Sequence, residues 1–82
     1  MNAEFQYMRE CQMWDQPKVD IYFVTIDDDM EPRYEIQVDG DGKIVFAGEF
    51  TAQEGEVLFV TDQTANDLQT CFDDYLTSIA TE

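Results

Sequence analysis

Asp27, Asp28, Asp29 and Glu31 put four carboxylates into five consecutive positions, and Glu54, Glu56, Asp67 and Asp74 add four more in the second half of the chain. Carboxylates can act as paired acid and base, as ligands for hard cations, or as the charge that attracts a cationic partner. The first role needs a walled cleft that raises one pKa and leaves its neighbour ionised, and an 82-residue chain has little room for one. There is also no histidine, so both the commonest general base and the commonest metal ligand are missing. Cys11 and Cys71 stand sixty positions apart and outside any C-x-x-C pairing, which implies neither a disulfide framework nor a zinc site. Nothing beside Cys71 in the sequence would activate its thiol. The chain reads as a non-enzyme, with no catalytic residue, no metal and no cofactor expected.

Cation ligation has one specific candidate. Asp39-Gly40-Asp41-Gly42-Lys43-Ile44, with Glu49-Phe50 beyond it, resembles part of an EF-hand calcium loop. With Gly42 at the sixth loop position, Asp41 falls at the fifth, Asp39 at the third and Ile44 at the eighth, as that loop requires. The ends do not fit. Gln37 occupies the first position and Gly48 the twelfth, so the first carboxylate and the bidentate glutamate are both absent. The flanking residues alternate with strand period where helices are needed, and a hairpin turn is the simpler reading of this glycine-rich tetrad. A calcium-responsive module would show a calcium-dependent melting temperature that Asp39 and Asp41 control.

Electrostatic binding remains. Nineteen acidic residues face four basic ones, for a formal charge of −15. Charge of one sign at this density repels itself and opposes compaction, so its retention points to a cationic partner. The expectation is a small acidic protein inhibitor that occupies the basic nucleic-acid-binding site of another protein. Association would be steered by charge and weakened by salt. Direct binding to nucleic acid is not expected, because four scattered cations cannot offset phosphate repulsion. In size and charge the chain is similar to phage-encoded inhibitors of bacterial defence, such as anti-CRISPR and antirestriction proteins, and to nuclease immunity proteins. That resemblance implies a DNA- or RNA-mimic mode of action and carries over no individual residue. The competing expectation is a noncatalytic acidic structural or adaptor domain with no nucleic-acid-related target, whose charge serves solubility or a high-salt setting. No leader and no apolar run of membrane-spanning length is evident, so a cytoplasmic location is expected.

These carboxylates must be held by a folded scaffold. A hydrophobic fraction of 44% with 13% aromatic residues is too apolar for intrinsic disorder, and residues 1–82 read as a single domain. Residues 4–13 alternate, with Phe5, Tyr7, Cys11 and Met13 on one face, as a half-buried strand would, although a helix is also compatible. Val19 to Ile26 is β-branched and aromatic on both faces, as a central strand is. Arg33 to Val38 and Lys43 to Phe50 flank the Asp39–Gly42 turn as a hairpin, with Ile44, Phe46 and Phe50 expected to face the core. Val57 to Thr61 supplies a short fifth strand.

From Ala65 the period changes. Ala65, Leu68, Phe72, Tyr75, Leu76 and Ile79 form one apolar stripe of a helix, with Asp62 or Thr64 as the expected N-cap and Asp67 completing a capping box with Thr64. The fold class that follows is α+β: an antiparallel meander of four to five strands with one C-terminal amphipathic helix packed on one face.

In a meander the connections alternate between the two ends of the sheet. Residues 27–32 and 51–56 should then share one end, and the helix should return its C-terminus there. Asp27, Asp28, Asp29, Glu31, Glu54, Glu56 and Glu82 would gather at that end, with Arg33 as the nearby cation. The other end carries Asp15, Asp20, Asp39, Asp41 and Asp62 but also Lys18 and Lys43. Asp67 and Asp74, seven residues apart on the helix, should face away from the stripe. Trp14 reads either as a lid over the core or as an exposed anchor, and Met30 could add an apolar contact to the acidic loop.

Overall fold

The computed structural model describes residues 2–27, 29–51 and 56–80. Five strands, β1 (Ala3–Cys11), β2 (Val19–Ile26), β3 (Tyr34–Val38), β4 (Ile44–Phe50) and β5 (Val57–Phe59), precede one helix, α1 (Asp62–Ala80). The strands form a single antiparallel sheet in the order β1-β2-β3-β4-β5. The α+β meander is thus the fold, and residues 3–11 are strand. They are held as one by pairing with β2, from Ala3 opposite Ile26 to Cys11 opposite Val19.

One face of the sheet meets α1. Val24 and Ile26 of β2, Tyr34, Ile36 and Val38 of β3, and Ala47 of β4 are buried there with Leu68 and Phe72 of the helix. Phe72 is the centre of an aromatic cluster. Its ring lies 5.2 Å from Phe5, 5.0 Å from Tyr22 and 5.8 Å from Tyr75, centroid to centroid. The contacts with Phe5 and Tyr22 are edge to face and that with Tyr75 is tilted, and such ring pairs add to the stabilisation from burial alone.

Two bulges decide what reaches the other face. Between Tyr7 and Arg9 the β1–β2 register skips Met8, and between Ile44 and Phe46 the β3–β4 register skips Val45. An extra residue reverses the alternation of everything after it. Ile44, opposite Val38, keeps its place toward the helix. Phe46, opposite Gln37, is carried to the open face together with Gly48 and Phe50. Phe46 and Phe50 therefore correct the expectation that they continue the core. Cys11, opposite Val19, is likewise on the open face, and Met13 lies beyond the end of β1.

The helix also departs from expectation at both ends. Its N-cap is Thr61, whose Oγ1 accepts the amide hydrogen of Thr64 at 3.2 Å and whose carbonyl accepts that of Ala65 at 2.9 Å. That places the cap one residue before Asp62, which becomes the first-turn acid. Rather than running back along the strands, α1 crosses them. Ala65 lies beside Ile44, Ala47 and Val60, whereas Phe72 and Tyr75 pack on Phe5 and Tyr22 of β1 and β2. Gln69 fixes the crossing: its side-chain amide donates to the Gly42 carbonyl at 3.1 Å and accepts from the Ile44 amide at 2.8 Å. Leu76, two turns further, still lies beside Gly42. Trp14 is fully exposed and covers no part of the core.

Candidate acidic and aromatic surfaces

The expected acidic end is assembled in part. Phe50 donates its amide to the Arg33 carbonyl at 2.9 Å, and Thr51 donates to the Glu56 carbonyl at 3.2 Å. These bonds tie the loop after β2 and the start of β5 to one end of the sheet, where Asp27, Asp29, Glu31 and Glu56 are all exposed. Asp28, Glu54 and Glu82 lie outside the described residues.

Two of these carboxylates are bound within the molecule, and of the two only Asp29 is bound by a cation. Asp27 adopts a left-handed backbone (φ 53), a conformation that aspartate tolerates better than most side chains. It exchanges hydrogen bonds with Asn2: its amide donates to the Asn2 carbonyl at 2.6 Å, and its Oδ1 accepts the Asn2 amide at 3.2 Å. Asp29 holds the Arg33 guanidinium at 2.7 Å. Glu31 and Glu56 keep their charge for the outside, and Met30, next to Glu31 in the loop, is 98% exposed.

A second acidic surface forms on the back of α1. At about 100° per residue, Asp62 and Asp73 fall on one flank of the solvent-facing side and Asp67 and Asp74 on the other. Between them lie Gln63, Asn66, Thr70 and Thr77, all neutral, and the helix contains no lysine or arginine. Thr70 and Thr77 return their hydroxyl hydrogens to the carbonyls of Asn66 and Asp73. Gln63 donates to Asp67 at 3.0 Å and Gln69 to Asp73 at 2.9 Å, so both carboxylates are held by neutral donors that leave their charge intact. Asp73 escaped the sequence reading. The signal was its adjacency to Asp74, which doubles the charge on the turn.

The cations are few, and two of the four are engaged. Lys18 pairs with Glu10 at 3.1 Å, and that hydrogen-bonded carboxylate is the main reason the lysine pKa lies above its ordinary value. Arg33 is bound to Asp29. Arg9 is on the open face of the sheet and Lys43 in the β3–β4 turn; neither forms an ion pair among the described residues.

That turn is a hairpin turn. Asp39 Oδ1 accepts the amides of Asp41 at 2.9 Å and Lys43 at 3.0 Å, and Gly42 takes the positive φ of 81° that the turn demands. The carboxylate that an EF-hand would aim at calcium is here spent on the backbone. Among the described residues no group of three or more acidic or cysteine side chains is placed to hold a metal ion. Tyr22, near Asp20 beside this turn, has its pKa raised, chiefly by burial and then by Tyr75, Asp20 and Tyr7.

The open face of the sheet is the surface that sequence reasoning did not foresee. Phe23 and Phe50 meet edge to face at 5.1 Å, and Phe46 and Phe59 at 5.4 Å. Gly48 makes room for them: a side chain there would strike Val57 and come within 3.0 Å of the Phe46 ring. Phe59 is 83% exposed. Among the described residues no helix is long and apolar enough to cross a membrane. No family model matches the chain, and neither does any curated protein or solved structure.

Proposed function

We propose that this chain is a small acidic inhibitor that occupies the basic nucleic-acid-binding site of a partner protein. The back of α1 carries the reading: Asp62, Asp67, Asp73 and Asp74 stand on a rigid helix with only neutral polar side chains between them and no cation on the element. Asp67 and Asp74 are separated by seven residues, an axial rise of about 10.5 Å. Three phosphate steps along one strand of a nucleic-acid duplex span about 10 Å. The row thus offers a cationic groove charges at a spacing it already accommodates. Glu31 and Glu56 at the loop end form a second point of attraction, reinforced by Asp27. The mechanism is competition, in which charge speeds the encounter and apolar contact slows release. It requires no catalysis, no cofactor and no nucleic acid bound to this chain. In that role it would act in the cytoplasm, as the phage inhibitors of similar size and charge do.

The test is competitive displacement. The immobilised protein is exposed to nuclease-treated bacterial lysate at low salt, bound proteins are released with salt and identified, and each is assayed for DNA or RNA binding with and without this chain. The expected result is a nucleic-acid-binding protein that releases its nucleic acid as this chain is added. Captured proteins that keep their nucleic acid at saturating chain, or the absence of any salt-released protein, would refute the proposal.

A further inference from the structure

The open face of the sheet ends, at the acidic loop, in a notch. Phe23 of β2, Phe50 of β4, Pro32 and Glu31 line a depression of about 360 Å³. The two rings stand 75° to one another, an edge-to-face arrangement in which the pair itself covers only one face of one ring. The one cation nearby in sequence, Arg33, is held by Asp29 at 2.7 Å, so the Glu31 carboxylate at the rim has no cationic partner among the described residues. An aromatic wall with a free carboxylate at its edge has the composition that receives a guanidinium group. The plane of the guanidinium stacks on the ring while its N–H fork binds the carboxylate. An ammonium group offers neither the plane nor the fork.

The physical limits of the face argue against a second copy of this chain as its occupant. Five strands about 4.8 Å apart and some 20 Å long present roughly 450 Å², well short of the approximately 800 Å² per partner of a standard stable interface. Pairing would also bring together two molecules of charge −15. A cationic protein meets no such repulsion, and it can extend the contact past the sheet to Glu56 and Asp27.

We infer that the Phe23–Phe50–Glu31 notch seats an arginine side chain of the cationic partner protein. The aromatic face of the sheet then supplies the short-range part of an interface whose long-range part is the acidic helix and loop. The inference rests on the reading of the partner as a cationic protein, and the test separates the two.

The probes are fluorescently labelled nona-arginine and nona-lysine, titrated with the full chain and followed by anisotropy at about 150 mM salt, where surface charges are well screened. The native chain should bind nona-arginine about tenfold more tightly than nona-lysine. Phe50→Leu keeps apolar bulk and removes the ring, and Glu31→Gln removes the rim charge at constant shape. Each should bring nona-arginine close to the nona-lysine value while changing nona-lysine by no more than about twofold. A D67N/D73N/D74N chain that weakens both peptides equally and keeps the arginine preference supports the notch as a separate element. Equal binding of the two peptides by the native chain, or a preference that survives both notch substitutions, overturns the inference and leaves the acidic-inhibitor reading standing. Failure of both peptides to bind overturns both. Sedimentation as a dimer that Phe50→Leu converts to monomer overturns the notch in favour of self-association.

Discussion

Neutralising the back of the helix should separate folding from binding. In the triple variant D67N/D73N/D74N each asparagine keeps a side-chain oxygen where the aspartate had one, so the bonds donated by Gln63 and Gln69 survive. Helix propensity barely changes, since Asn and Asp rank together. The repulsion relieved is small. Asp67 and Asp74, about 10 Å apart in water, repel by about 0.4 kcal/mol, which screening over about 8 Å reduces to roughly 0.1 kcal/mol; the neighbouring Asp73 and Asp74, about 6 Å apart, add about 0.3 kcal/mol on the same basis. The summed effect on stability is therefore within about 0.5 kcal/mol, or about 2–4 °C in melting temperature for a chain of this size.

Binding responds differently. If each carboxylate meets one cation of the partner at an exposed contact worth about 0.5–1 kcal/mol, the loss is about 1.5–3 kcal/mol, roughly a ten- to hundredfold weaker complex. The assay pairs thermal melting by circular dichroism with titration of nona-lysine at two salt concentrations, and the native chain should show the steeper salt dependence. Affinity within twofold of native would remove the helix from the interface. A destabilisation above about 2 kcal/mol would show that these charges belong to the fold.

The β3–β4 turn makes a prediction about calcium. Asp39→Asn retains the oxygen that accepts the Asp41 and Lys43 amides and should leave urea stability within about 0.5 kcal/mol, whereas Asp39→Ala should lose about 1–2 kcal/mol; millimolar calcium should shift neither melting curve. At alkaline pH the sign follows from Tyr22, whose folded pKa lies above the ordinary phenol value of 10.0 because burial disfavours the phenolate. The folded chain holds a proton that the unfolded chain has lost, so stability is full below about pH 10 and falls as pH rises through the folded pKa. The Tyr22→Phe chain should show a shallower fall in melting temperature over that range; an equal slope would mean that the tyrosine is not the responsible group.

Much of the scaffold is legible in the order of residue types. Val19 to Ile26 is β-branched and aromatic on both faces, as strands inside a sheet tend to be, and β2 pairs with both β1 and β3. The shift to three- and four-residue spacing after Thr64 identifies the helix because no strand places Leu68, Phe72 and Tyr75 on one side. The Asp39–Gly42 tetrad names its own turn, since few other residues reach positive φ cheaply. These are local properties, settled by sterics and periodicity before any long-range contact forms.

What tertiary structure alone decided is the destination of side chains whose direction depends on pairing. A bulge is a property of two strands in register, so nothing within Lys43 to Phe50 announces that Val45 is skipped and that Phe46 and Phe50 turn outward. The same holds for Met8 and Cys11. The angle of the helix comes from Gln69 and Leu76 meeting the turn at Gly42, a contact between residues more than two dozen positions apart. Charge, finally, is countable from composition, but its availability is not: Asp29 is paired with Arg33, while the helix, lacking any cation of its own, leaves its carboxylates without a cation beside them on the element. The sequence determined how much negative charge the chain carries, and the packing of sheet and helix determined where that charge is free to act.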